Sequence, residues 1–130
     1  MRSALLIPML LAAACAGKDE TVSGYIDREA TFLLEELDGA PFPARATIAF
    51  PSEGAVRGEA PCNRWSARQT VPYPWIGIED IASTRRTCPA QAQENAYLAA
   101  LRQMTLVEGL GDVVILSNDA GRQMVIRAQK

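Results

Sequence analysis

Over most of its length the chain alternates apolar and polar residues in short runs, and turn residues punctuate the runs. A period of two predicts strands rather than helices. Thr31–Leu37 is one such run, closed by the turn pair Asp38-Gly39. Ala46, Ile48 and Phe50 fall on one face of the next, and Pro51-Ser52-Glu53-Gly54 turns it into Ala55–Ala60 as a hairpin. From 63 to 69, Asn63, Trp65 and Ala67 alternate with Arg64, Ser66 and Arg68, which predicts a strand with one mixed and one basic face. Pro72-Tyr73-Pro74 interrupts the pattern, because proline donates nothing to a sheet interior. Trp75-Ile76-Gly77-Ile78 then reads as a further strand, with Trp75 as a core anchor in preference to part of an exposed aromatic loop with Tyr73 and Pro74.

Helical spacing occurs once, over about residues 89–104. Pro89 opens it as a first-turn proline, and Ala90, Tyr97, Leu101 and Met104 recur on one face. Glu94 early and Arg102 late suit the helix dipole. Strand patterning resumes at Thr105–Glu108, and Val113–Leu116 pairs with Gln123–Arg127 through Asn118-Asp119-Ala120-Gly121. These elements predict an α+β fold: an antiparallel, curved β-sheet with a single main α-helix over about 89–104.

The N-terminus follows a different rule. Met1-Arg2-Ser3 is basic, Ala4 to Ala14 is apolar apart from Pro8, and small residues end on a cysteine in Leu11-Ala12-Ala13-Ala14-Cys15. The run is far shorter than the roughly 20 residues needed to span a bilayer. It has the layout of a secretory signal, and its end resembles a bacterial lipobox. The expected division is a signal peptide over 1–14, a polar tether over 15–28 and a domain over 29–130, with Cys15 lipidated and anchored to the membrane. Ordinary cleavage at Ala14-Cys15-Ala16 is the competing expectation. Ala16, rather than aspartate, after the cysteine points by resemblance to the periplasmic side of the outer membrane.

Composition removes several chemistries. The sequence has no histidine, and its lysines are Lys18 and Lys130, so histidine-dependent nucleophiles and a lysine centre inside the domain are excluded. No imidazole is available for metal, and two domain cysteines cannot complete a tetrahedral zinc site. Without Arg2 the mature chain has 12 basic and 15 acidic residues, a net charge of −3, which argues against a nucleic-acid partner. No cofactor and no metal are expected, and a monomer is.

Cys62 and Cys88 anchor the two segments richest in unusual residues, Pro61-Cys62-Asn63-Arg64-Trp65-Ser66 and Ser83-Thr84-Arg85-Arg86-Thr87-Cys88-Pro89. In an oxidising compartment they read as one disulfide, worth about 3–4 kcal/mol for a loop of this length in the chain-entropy model. The functional alternative is a thiol redox pair, whose thiolate Arg64, Arg85 and Arg86 would favour.

These segments resemble the META domain, or HslJ-like, family. Gly58-Glu59-Ala60-Pro61-Cys62-Asn63-Arg64-Trp65-Ser66-Ala67 is similar to its G-x-x-G-C-N-x-aromatic-x-G, and Ser83 to Pro89 is similar to its S-T-x-x-x-C-P, with a helix following. Ala60-Pro61, Ala67 and Phe32 stand where the family carries glycines and a tryptophan. The resemblance covers roughly residues 30–128. It implies a compact sheet with one helix, an exported or envelope-attached protein, and no established catalytic activity.

The expectation is therefore a non-enzymatic envelope lipoprotein that supports envelope integrity or binds a partner. A ligand-binding or enzyme-inhibitor module in the periplasm is the alternative. The candidate binding patch for an envelope protein, an anionic glycan or a phospholipid headgroup is Arg64, Trp65, Arg68, Arg85 and Arg86, with Trp65 alternatively in the core and Asn63 as a local turn or strand-start residue. Carboxylates offer one further possibility, a distant pair such as Glu59 with Glu108, because Glu79 and Asp80 are adjacent and would face apart on a strand.

Overall fold

A computed structural model of the chain describes residue 4 and residues 17–129. Cys15 and its leader lie outside the described residues. The strands run in chain order as β1 (Phe32–Leu37), β2 (Ala40–Pro41), β3 (Thr47–Ser52), β4 (Gly54–Glu59), β5 (Arg64–Gln69) and β6 (Glu79–Ser83). Helix α1 (Gln91–Gln103) follows, then β7 (Leu106–Leu110), β8 (Val113–Ser117) and β9 (Gln123–Ala128). All strand pairs are antiparallel, in the order β6-β5-β4-β3-β1-β9-β8-β7, with the short β2 paired to β1. The result is the expected α+β fold, a strongly curled half-barrel around one main helix.

The alternation read in the sequence is the alternation of the core. Ala46 just before β3, Ile48 and Phe50 from β3, Val56 from β4, Val114 and Leu116 from β8, and Met124 and Ile126 from β9 are all buried. Helix α1 presents Tyr97, Ala100 and Leu101 to this core. Tyr97 packs edge-on to Trp65, with ring centroids 6.1 Å apart, and its hydroxyl donates to the Thr47 carbonyl at 2.8 Å. Burial pushes the Tyr97 phenol well above its ordinary pKa, so it remains a neutral donor. Gly58 is required where these groups meet, since a Cβ there would overlap the Thr47 carbonyl and crowd the Trp65 indole nitrogen. The turn after β1 places Asp38 and Gly39 both at positive φ, 53° and 82°, the geometry of a tight hairpin.

The register defines two ends. One holds Leu37, the Glu59–Arg64 connection and the Ser117–Gln123 turn. The other holds Phe32, Gly54, Gln69, Ala128 and the Leu110–Val113 turn. Helix α1 attaches to the first end, where the Gln103 carbonyl accepts from Asn118 Nδ2 at 3.1 Å. The N-terminal segment covers the second.

That segment corrects the tether expected over residues 15–28. Thr21, Val22 and Ser23 are buried, and Val22–Gly24 forms a 3₁₀ turn. Asp19 accepts hydrogen bonds from the Thr21 amide, the Thr21 hydroxyl and the Ser23 hydroxyl. Burial works against the Asp19 charge, but these bonds and nearby Arg28 hold its pKa below the ordinary carboxylate range. Polar residues that looked like linker are instead satisfying one another inside the fold.

Two further expectations change. Residues 75–78 do not form a strand: only Trp75 bridges, to Leu106, and the strand begins at Glu79. Ile76 and Ile78 are buried, but Trp75 is 56% exposed and is no core anchor. The proline pair limits how this segment enters a sheet, yet Ile76 N donates to the Thr105 carbonyl and Val107 N to the Pro74 carbonyl, stitching the segment to β7. Pro89 also stands outside α1, whose N-cap is Ala90.

Candidate functional site

The two cysteine segments meet at the helix end of the half-barrel. Cys62 in the β4–β5 connection and Cys88 ahead of α1 form a disulfide. Beside it sits Asn63, which is buried and uses its whole side-chain amide. Asn63 Nδ2 donates to the Arg86 carbonyl at 2.9 Å and to Glu94 Oε2 at 2.7 Å. Its Oδ1 accepts from Thr84 Oγ1 at 2.9 Å and from the Arg86 amide at 2.6 Å. Asn63 is thus no local turn residue. It ties the β4–β5 connection to the β6–α1 connection and to the helix.

Glu94 is the other half of this clasp, and it is only 3% exposed. Its Oε1 accepts the backbone amides of Cys62 at 3.0 Å and Asn63 at 2.8 Å, and its Oε2 accepts from Asn63 Nδ2 and, at 3.1 Å, from Gln91 Nε2. Burial alone would raise the Glu94 pKa. The bonds from Asn63, the Cys62 amide and Gln91 outweigh it and hold the carboxyl below its ordinary range. A buried carboxylate with four donors is a fixed anion, with no lone pair turned toward a reactant. It is structural.

A cleft of about 480 Å³ opens over the clasp, lined by residues 59–64 with Thr84 and Arg86. A second depression of about 420 Å³ adjoins it through Glu59 and Arg64, and adds Arg45 and Arg57. Both are on the outer face of β3–β5, because Arg57 and Glu59 on β4 and Arg64 on β5 alternate with buried Val56 and Trp65. The cleft therefore presents guanidinium groups above a rigid floor, an arrangement suited to carboxylate, phosphate or sulfate oxygens.

The five residues of the expected patch do not stay together. Arg64 and Arg86 line the cleft. Arg68 is engaged by Asp80 in an exposed ion pair at 2.8 Å. Arg85 is exposed but lines neither depression. Trp65 is 3% exposed and belongs to the core, so it offers no stacking face to a ligand. Arg45 and Arg57 were missed, although the parity of β4 already places Arg57 beside Glu59 on the outer face. Glu94 was missed because an acidic residue in a helix's first turn has an ordinary explanation in the dipole. Glu59 and Glu108 open into different depressions, so the structure assembles no carboxylate pair from them. Among the described residues no group of three or more carboxylates and cysteines is arranged to hold a metal.

A family model described as META domain matches residues 27–130. No curated protein matches the chain. Among solved structures, one described as the NMR structure of a protein from Burkholderia xenovorans is similar at 20% identity, covering 78% of this chain and 82% of that one, with a TM-score of 0.62. A second NMR structure is similar at 20% identity, over 77% of this chain and 89% of the other, with a TM-score of 0.60. The crystal structure of a DUF4847 family protein from Bacteroides vulgatus ATCC 8482 is similar at 15% identity, over 65% and 59%, with a TM-score of 0.54. At these identities the likeness is one of fold.

Proposed function

The chain belongs to the META domain family, and on that premise we propose that it is an exported, lipid-anchored envelope protein with no catalytic activity of its own. The observation that carries this reading is the Cys62–Cys88 disulfide. Disulfides persist in oxidising compartments, and here one joins two segments that a secretory leader would deliver there. The lipobox-like Leu11-Ala12-Ala13-Ala14-Cys15 supplies the anchor, and Ala16 favours the periplasmic side of the outer membrane. The absence of catalysis is supported by a sequence without histidine and by the engagement of its buried carboxylate, Glu94, with four donors. The mass of the mature N-terminal peptide, taken from the membrane fraction, tests the proposal. A diacylglyceryl group on Cys15 is expected, whereas an unmodified Cys15, or a chain beginning at Gly17, would overturn it.

The Arg64–Arg86 cleft favours a second reading, in which the domain binds an anionic envelope partner such as an acidic glycan or protein segment. Among the described residues neither side chain is held by a carboxylate, unlike Arg68, which supports their engaging an external anion. Capture of such a partner from envelope extract should be lost in an Arg64→Ala, Arg86→Ala double variant. It should persist in Arg68→Ala, and equal capture by all three proteins would remove the cleft from consideration.

A further inference from the structure

Three large hydrophobic side chains stand exposed among the described residues: Tyr25 at 45%, Trp75 at 56% and Leu110 at 53%. All three border β7. Tyr25 stacks on Tyr73, with ring centroids 4.4 Å apart and planes 9° from parallel. The Tyr73 hydroxyl accepts the Gly109 amide at 3.1 Å, one residue from Leu110, and Trp75 follows Tyr73 by two positions. On β7, Val107 is buried, so Leu106 and Leu110 take the opposite, outward parity. The antiparallel bridge between Trp75 and Leu106 puts their side chains on that same outer side. The exposed side chains thus span β7 and the segment stitched to its edge: Trp75 lies at Leu106, and Leu110 with the Tyr25–Tyr73 stack lies at the strand's other end, about 13 Å along it.

The entry of the chain decides what meets this surface. Glu20 accepts the Tyr73 amide through its carbonyl at 2.7 Å and the Tyr25 hydroxyl through its carboxylate at 3.0 Å. Lys18 Nζ lies 5.8 Å from the centre of the Tyr25 ring. Cys15 precedes Lys18 by three residues, a reach of at most about 10 Å even when fully extended. An acyl chain on Cys15 therefore enters the bilayer beside Tyr25, with no free linker to hold the domain away.

We infer that the β7 edge of the half-barrel docks on the bilayer along the length of that strand, placing Tyr25, Trp75 and Leu110 in the phospholipid headgroup region and turning the arginine-lined cleft on β4 and β5 toward the aqueous side. Tyrosine and tryptophan suit that depth because each joins an apolar ring to a polar tip. Asp19 and Glu20 border the surface and Glu108 lies within it, between Leu106 and Leu110, so contact depends on interfacial partition of rings rather than on attraction to anionic lipid. The orientation rests on the anchor proposed at Cys15. The partition of the exposed rings does not.

Tryptophan emission tests the inference, because the sequence has two tryptophans and Trp65 is enclosed in the core. The protein purified from membranes is reconstituted in phosphatidylcholine–phosphatidylethanolamine vesicles whose acyl chains carry bromine near the headgroup. Quenching of roughly half the total emission is expected from insertion of one ring of the two, at a depth typical of interfacial tryptophan. It should be absent in Trp75→Phe, weakened in a Tyr25→Ser, Leu110→Ser variant and unchanged in high salt. The N-terminal mass of the same sample separates the two ideas. Lipidated protein without quenching overturns the docking surface and leaves the anchor standing. If Cys15 is unmodified, the protein is added to preformed vesicles at high lipid: quenching then supports the surface without the anchor, and its absence overturns the surface. Emission unaffected by lipid, with a dimer that Trp75→Ser breaks, would assign this face to a second copy of the chain and overturn the inference.

Discussion

At the end where α1 begins, a carboxylate is buried among four donors with a disulfide beside it. Along the β7 edge, stacked tyrosines and an exposed tryptophan face outward, the tyrosines beside an N-terminal segment held by Asp19, Thr21 and Ser23. The first end spends its most distinctive residues, Asn63, Cys62, Cys88 and Glu94, on holding connections together. The β7 edge spends large apolar side chains on surface, where they add little to the fold. A family signature and an interaction surface are therefore different parts of this molecule. The residues that identify the chain are largely those that clasp it.

The contrast is tested most severely at Asn63. Asn63→Ala removes four side-chain hydrogen bonds and leaves buried partners on Glu94 and the Arg86 backbone unsatisfied. A loss of about 3–5 kcal/mol is expected, since each stranded buried group costs roughly 1–3 kcal/mol. Chemical denaturation measures it, and a loss below 1 kcal/mol would show that the clasp is dispensable. Replacing both Cys62 and Cys88 with serine comes next, with a loss of about 3 kcal/mol from the longer reach of the unfolded chain. A redox role would instead show as two titratable thiols in the non-reduced native protein.

The clasp should also set the acid limit of the fold. Glu94, Asp38 and Asp19 all have folded pKa values below their ordinary ones. For Asp38 the leading causes are its bonds from Arg122 and from the Gln123 amide. A depressed carboxylate contributes stability that is fully present above its unfolded pKa and is lost as pH falls through the folded one. Stability should therefore hold at neutral pH and decline below about pH 4. Glu94→Gln turns a donor toward Asn63 Nδ2 and Gln91 Nε2, so it weakens the fold at neutral pH while flattening the acid limb. Denaturation midpoints for both proteins between pH 3 and pH 7 decide this, and parallel curves would remove Glu94 from the account.

Much of this architecture was legible because period-two alternation is imposed by burial of one sheet face. Ala46, Ile48 and Phe50, and Asn63, Trp65 and Ala67, show it directly. The failures share a cause. Trp75 looked like core because it is large and apolar, but its exposure depends on how Pro72 and Pro74 steer the chain past β7, and composition does not encode that path. Asn63 and Glu94 lie 31 residues apart, and nothing in either neighbourhood announces their bond. Thr21 and Ser23 read as linker because short polar residues serve equally well in solvent and in a buried network that satisfies them. Local pattern reports which face is inside. It does not report which distant polar groups meet there.

The smallest expected effect is at the exposed aromatic edge, and it completes the comparison. Trp75→Ser removes a side chain that is 56% exposed and whose backbone bridge to Leu106 does not depend on the ring. Surface changes of this kind usually fall within about 0.5 kcal/mol, so the denaturation midpoint should scarcely move. The exposed Arg68–Asp80 pair at the other edge gives a matched control, because Arg68→Ala should likewise cost less than about 1 kcal/mol. Both variants are then folded and equally stable, and they differ only in which surface is lost. Trp75→Ser should reduce association with zwitterionic vesicles, while Arg68→Ala should leave it unchanged. Should Trp75→Ser instead cost 3 kcal/mol or more, the ring would be part of the fold, and the clasp and the β7 edge would have the same role.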